Sequence, residues 1–451
     1  MSDTTRRSFL RNVAAAAPAV QAAFPQGSAN DKINVAVVGF HSRGMAHIRS
    51  YAAMKDVRVV ALCDVDERLF GPAVAEVEKI AAYRPDTVVD FRKLIERKDL
   101  HAVSIATPDY WHALQSIWAC QAGKDVYVEK PVSFGIVEGR RMVEAARKYS
   151  RIVQAGTNQR SEPTVRAAMR YLTEGKLGKV YRASTDFSKE RASIGRSKEA
   201  SVPQGVNWDL YLGPTPMRPF TLNRFHYGWH YFWDTAPSEV GNIGTHSLDI
   251  CRWGMGKTTH PTKIHCTGGY FLWDSEQETP NLQLGTLEYA DGSLIDWEVN
   301  NLYAPEPNRG TIFYTSEGYM MNRGGWKPMK GKITPRNRPH PAGVDETNMN
   351  ASFPETPTYA ALAPPDPSVE DKDSHFANFI KAVRSRKVED LHCDIAEGHL
   401  STSMAQLSTI SYRLGRKLVF DPKTETFPGD AEANKMLVRT YRKPYVLPDK
   451  V

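Results

Sequence analysis

The chain lacks several features that would settle a function class at once. Its five cysteines, Cys63, Cys120, Cys251, Cys266 and Cys393, are scattered, odd in number and without a Cys-x-x-Cys pair. That usage argues against a disulfide framework and a thiolate metal site, and for buried free thiols. No metal-ligand set is read from the chain. The net charge of +7 comes without a Lys/Arg block, so neither nucleic-acid nor membrane-surface binding follows from it. No apolar run approaches the roughly 20 residues of a membrane span. There is no internal repeat. What is present, 451 residues with 41% hydrophobic and 24% charged content, is ordinary globular composition and too long for one core, so two domains are expected.

Residues 1–30 read as a leader rather than fold. Thr5-Arg6-Arg7-Ser8-Phe9-Leu10-Arg11 is a twin-arginine pattern. A short apolar run, Val13 to Val20, follows, then small residues at Ala22 and Ala23. This order predicts export through the twin-arginine route, to the periplasm or beyond.

From residue 31 to 155 apolar runs alternate with helical periodicity, which predicts a doubly wound parallel sheet. The strands expected are Ile33–Val38, Val57–Cys63, Ala102–Ala106, Asp125–Val128 and Ile152–Gln154. The first ends in Gly39-Phe40-His41-Ser42-Arg43-Gly44 and feeds a helix, the arrangement that holds a phosphate at a helix N-terminus. His41 stands where the usual fingerprint has its middle glycine. The second strand ends at Asp64, where dinucleotide-binding folds place the acid that grips the adenosine ribose. Thr107-Pro108-Asp109 and Glu129-Lys130-Pro131 follow two further strands, at the sheet end where ligands bind. Pro131 restricts Lys130 to extended geometry.

Residues 156–451 read as a second, α+β domain. A helix, Pro163–Glu174, and a strand, Lys179–Asp186, precede an irregular segment, Phe187–Gln204. Two aromatic-rich stretches follow, one around Trp208 and one from Arg224 to Asp234; rings beside polar groups suit a sugar as well as they suit a core. In a helix over Gly241–Trp253, Asn242, His246 and Asp249 fall on one stripe at i, i+4 and i+7. Strands are expected at Lys263–Trp273, Leu282–Tyr289, Ser293–Val299 and Gly310–Thr315, a long surface loop over Lys327–Pro367, and helices over Ser374–Ser385 and Ile395–Leu414.

Taken together, Ala36-Val37-Val38-Gly39 with Gly44, Cys63-Asp64-Val65-Asp66, Thr107-Pro108-Asp109 with Trp111-His112, Glu129-Lys130-Pro131, the Asn242–Asp249 helix and the tail from Gly415-Arg416-Lys417-Leu418 to Tyr441-Arg442-Lys443-Pro444 resemble the Gfo/Idh/MocA oxidoreductase family. With the leader and Trp208-Asp209-Leu210-Tyr211-Leu212-Gly213-Pro214, the chain is similar to an exported bacterial subgroup. The resemblance implies an N-terminal Rossmann domain and a C-terminal domain with an open, mostly antiparallel sheet. It implies tightly bound NAD, with NADP as the alternative. It also implies a sugar or cyclic polyol substrate and a homo-oligomer, dimer or tetramer.

Cofactor contacts are expected from Gly39, His41, Ser42, Arg43, Gly44, Asp64, Thr107, Pro108, His112, Glu129 and Lys130. Substrate contacts are expected from Lys130, Asn158, Arg160, Trp208, His226 and His246. Lys130 and His246 match the residues that flank the nicotinamide in the family. Asn242 stands where many members have an acid, so it is limited to hydrogen bonding and proton transfer falls on His246. Asp249 is a candidate to hold the His246 ring or, equally, to serve a purely structural role. Two other readings stay open: an NAD-dependent glycosidase or lyase that oxidises its sugar transiently, and a non-catalytic sugar-binding protein on the same scaffold.

Overall fold

Strand β1 (Ile33–Val38) is buried along almost its whole length and sits at the centre of the first sheet. The computed structural model describes residues 32–304, 310–332 and 358–451. The expected leader, residues 1–30, lies outside them. Strands β2 (Val57–Cys63), β3 (Asp86–Val88), β4 (Ala102–Ile105), β5 (Asp125–Val128) and β6 (Val153–Ala155) complete a six-stranded sheet in the order β3-β2-β1-β4-β5-β6. Every pairing is parallel. The order steps outward from β1 in both directions, so a crevice opens where the β1 and β4 loops diverge. The short edge strand β3 has only partly apolar residues, and no periodicity announced it.

The second sheet has nine strands: β7 (Val180–Ser188), β8 (Lys263–Gly269), β9 (Leu282–Glu288), β10 (Leu294–Asn300), β11 (Gly310–Thr315), β12 (Gly318–Asn322), β13 (Trp326–Lys332), β14 (Thr358–Ala361) and β15 (Leu418–Val419). Their order is β14-β13-β12-β11-β7-β10-β9-β8-β15. Only β7 and β10 run parallel; the rest of the sheet is antiparallel. The expected loop over Lys327–Pro367 is corrected at both ends, where β13 and β14 pair with each other. Its middle, 333–357, lies outside the described residues.

Two helices tie the domains together. His375–Ser385, far along the chain, lays Phe376, Phe379 and Ile380 onto the core that includes Val35, Val37 and Tyr127 of the first sheet. The helix Ile395–Leu414 is buried nearly all round, and its small polar side chains serve as hydrogen-bonding posts. Thr402 Oγ1 accepts from the Val132 amide, Gln406 Nε2 donates to the Ser133 carbonyl, Ser401 Oγ donates to Asp249, and Thr409 Oγ1 donates to the Pro237 carbonyl. Loops from both domains are thereby pinned to one helix. All five cysteines are buried and free.

Candidate functional site

The loops after β1, β2, β4 and β5 and one wall of the second domain enclose a cavity of about 540 Å³. At one end stands the turn after β1. Gly39 has φ of 77°, and a Cβ there would lie 2.8 Å from the Thr107 amide nitrogen. A Cβ at Gly44 would lie 1.9 Å from the Gly39 carbonyl oxygen, so both positions require glycine for the turn to pack on the neighbouring strand end. His41 does not close this end. Its ring stacks on that of His226, with centroids 3.8 Å apart and planes 16° apart.

Asp64 lines the same end. Its carboxylate accepts from the amides of Phe40 at 2.9 Å and Asp66 at 3.0 Å, and burial pushes its pKa up to about 6. Asp66 is fully engaged: Arg68 grips it with two nitrogens at 2.7 Å and His226 Nε2 lies 3.1 Å away. The segment around Gly205 crosses this rim, with the Glu67 amide donating to the Gly205 carbonyl and the Asn207 amide to the Val65 carbonyl.

Glu129 is buried between Arg43 Nε at 2.8 Å and His47 Nε2 at 3.1 Å. Burial opposes its charge, but His47, Arg43 and Lys130 hold it well below the usual carboxylate range. His112 ties two loops together: its ring nitrogens lie 2.7 Å from the Pro131 carbonyl and 2.8 Å from the Thr107 carbonyl.

Lys130 and His246 face the other end, with Asn158. Lys130 Nζ donates to the Asn242 carbonyl at 2.5 Å and to Asn242 Oδ1 at 3.3 Å. Burial lowers its pKa against the pull of Glu129 and Glu239. Burial, and then the Lys130 charge, push the His246 imidazole down to about 3, so the ring is neutral at neutral pH. Its Nδ1 is buried and has no hydrogen-bond partner among the described residues.

The expected continuous helix is corrected here. Val240–Gly244 forms a π turn, and the α-helix runs only from Thr245 to Gly254. Asn242 and His246 face the cavity, but Asp249 turns away from it. Asp249 therefore does not hold the His246 ring. It takes Arg160 bidentately, at 2.8 Å from each of Nε and Nη2, and accepts from Ser401 at 2.5 Å. Arg160 is consumed by that pair and is not on the cavity wall, which corrects its expected substrate contact. Trp208 is corrected likewise. It packs between Tyr211, Phe220 and Phe225, and its indole N–H donates to the Arg218 carbonyl. Of the other expected residues, His41, Ser42, Arg43, Thr107, Pro108, His112, Glu129 and His226 lie on the wall with Gly39 and Asp64, while Gly44 backs the turn.

The wall also carries residues that sequence reasoning did not single out: Lys189, Arg191, Tyr227, Trp229 and His230. Behind them Glu239, buried, lies 3.0 Å from Arg191 Nε and accepts from Asn242 Nδ2 at 3.4 Å. The only hint of Glu239 in the sequence is its place three residues before Asn242, a spacing that helical turns bring together.

Comparison with known proteins gives this geometry a lineage. Residues 33–157 match the model of an oxidoreductase family's NAD-binding Rossmann fold, and residues 166–304 and 347–447 match the C-terminal alpha/beta domain of the same family. The chain belongs to the Gfo/Idh/MocA oxidoreductase family. Within that family it is similar to a levoglucosan dehydrogenase of Pseudarthrobacter phenanthrenivorans, 32% identical over 229 residues, which are 50% of this chain and 52% of that protein. A glycosyl hydrolase family 109 protein of Shewanella putrefaciens is 29% identical over 26% of this chain and 27% of its own. The chain thus spans about half, or a quarter, of the length of these curated relatives. Among solved structures, a levoglucosan dehydrogenase in complex with NADH and L-sorbose superposes with a TM-score of 0.63 at 17% identity, covering 86% of this chain and 99% of that one. An NAD-binding protein from Listeria innocua gives 0.62 at 15% identity, with 86% and 99% covered.

The residues present fit a nicotinamide dinucleotide. The Gly39–Arg43 turn lines the cavity at the N-terminus of the following helix, where a pyrophosphate would bind, Asp64 offers a carboxylate at the ribose position, and the His246 nitrogen left without a partner among the described residues lies on the same cavity.

Proposed function

We propose that the protein transfers a hydride between NAD and a secondary hydroxyl of a sugar or cyclic polyol. The observation that carries this reading is the convergence of Lys130 and His246 on one cavity whose other end is the Gly39 turn. When bound, NAD supplies the hydride acceptor. His246, neutral and buried, takes the hydroxyl proton. Lys130, anchored on Asn242, orients that hydroxyl and stabilises negative charge developing on its oxygen. Asp64 receives the adenosine ribose hydroxyls and repels a 2′-phosphate, favouring NAD. Arg68, the nearby cation that a 2′-phosphate would need, is gripped by Asp66 instead.

The test is to denature the purified protein, identify released nucleotide by mass spectrometry, and then assay NADH formation with levoglucosan and myo-inositol. Release of NADP(H) would overturn the role given to Asp64. No binding of either nucleotide would overturn the whole reading.

A second reading, NAD-dependent cleavage of a glycoside through transient oxidation, draws support from the segment bound across the nucleotide rim at Val65, Glu67, Gly205 and Asn207, which suits a cofactor kept between turnovers. The similarity to family 109 proteins points the same way. Free sugar released without net NADH would favour it over simple oxidation. The twin-arginine pattern ahead of the fold supports export with cofactor already loaded, and family membership supports a homodimer or homotetramer. Fractionation of the expressing cell and gel filtration test these.

A further inference from the structure

Tyr227 stands on the cavity wall beside Asn242, and its hydrogen bonding is one-sided. Its phenol oxygen receives Arg191 Nη2 at 3.0 Å and Asn242 Nδ2 at 3.4 Å. The orientation of the Asn242 amide follows from its other neighbours: Oδ1 faces the Lys130 ammonium at 3.3 Å, and Nδ2 faces a Glu239 carboxylate oxygen at 3.4 Å. Arg191 offers only donors, and it is held from behind by buried Glu239. A phenol has one proton and two acceptor sites. With both sites facing N–H groups, the O–H is left to donate. Among the described residues no acceptor faces it, and it opens onto the cavity. The side chain is not held there by burial, since Tyr227 is 43% exposed. Polar contacts set its direction.

We propose that Tyr227 is a specificity-determining residue that donates a hydrogen bond to a substrate hydroxyl oxygen next to the one handled by Lys130 and His246. This rests on the sugar or cyclic polyol reading and narrows it. The site takes a vicinal diol arrangement in which one oxygen faces Lys130 and a neighbouring oxygen accepts from Tyr227. The two contacts are coupled, because a single carboxamide, that of Asn242, positions both Lys130 Nζ and the phenol oxygen. A polyol lacking the neighbouring oxygen leaves the phenol proton without a partner, and such a site rejects the deoxy analogue strongly.

The test uses NAD-loaded protein and calorimetric binding of levoglucosan and myo-inositol, each with its set of monodeoxy analogues. Wild type is compared with Tyr227→Phe, whose thermal midpoint and NAD content are checked against wild type. The expected result is that one deoxy analogue binds wild type about tenfold or more weakly than its parent. Tyr227→Phe then binds that analogue and the parent equally, while the other analogues keep their penalties. Equal weakening of every ligand by Tyr227→Phe would mean the ring only packs, and unchanged binding would mean it does not touch substrate; either overturns the proposal. If wild type binds neither parent, the sugar and polyol reading itself fails.

Discussion

Two polar networks flank the helix that carries His246, and they differ in whether their valences are closed. On the far side from the cavity, Asp249, Arg160, Ser401, Arg252 and Glu397 saturate one another. Asp249 is held below the usual carboxylate range because Arg160 outweighs the cost of its burial. On the cavity side, Lys130, Asn242, Glu239, Arg191 and Tyr227 are equally connected, yet they leave the Tyr227 proton and the His246 Nδ1 without partners among the described residues. Both networks are mostly buried, with Tyr227 and Glu397 as their exposed members. The closed one builds the fold, and the open one waits for a ligand.

Breaking each network separately sharpens this contrast. His246→Ala cuts turnover by roughly 10²–10⁴-fold while NAD content and melting temperature stay near wild type, as steady-state kinetics and calorimetry would read. Unchanged turnover on a confirmed substrate sinks the role of His246. Asp249→Ala does the reverse. It strands the Arg160 charge in the interior and costs roughly 3–5 kcal/mol of stability by denaturant titration. A stability loss under about 1 kcal/mol would mean that the network relaxes around the deletion.

The same contrast recurs at the nucleotide end, where Asp64 keeps acceptor capacity and Asp66 is spoken for. NAD hydroxyls donate to an ionised Asp64, so binding favours the deprotonated carboxylate. With a pKa of about 6 in the free protein, NAD affinity is full above that pH. Below it, affinity declines by up to about tenfold per pH unit. Asp64→Asn removes that acid limb in a fluorescence titration; a limb that survives the substitution belongs to another group. Smallest of all, Arg68→Ala removes the half-exposed partner of buried Asp66, which keeps its His226 contact, and shifts stability by about 1 kcal/mol, leaving the preference for NAD intact.

The first domain was largely legible in the sequence because its signals are local. Apolar runs marked β1, β2, β4 and β5, and the Gly39 turn and Asp64 lie at strand ends. Lys130 and His246 were legible as motif positions. Each difference has its own physical cause. A π turn is a change in backbone hydrogen-bond register that side-chain periodicity does not encode, so the α-helix expected from Gly241 begins only at Thr245. Asp249 finds its partner Arg160 across a sequence separation of 89, beyond any local pattern. Trp208 shows the ambiguity of aromatics, since the same ring serves a core or a sugar. Tyr227 sat inside a quoted aromatic stretch, and only the directions of its hydrogen bonds distinguish it.

The helix Ile395–Leu414 has a practical consequence. It pins the loop that follows Lys130 and the helix that follows His246, so both functional side chains take their positions from a segment near the end of the chain. The unit of sequence and the unit of manufacture therefore do not coincide. A fragment stopping after the Rossmann fold at residue 157 would lack this post, and would also lack the Phe376 and Phe379 side chains that cover its sheet. Dissecting the protein calls for point substitutions within the whole chain, or a permuted chain that keeps both late helices, rather than a cut between its two sheets.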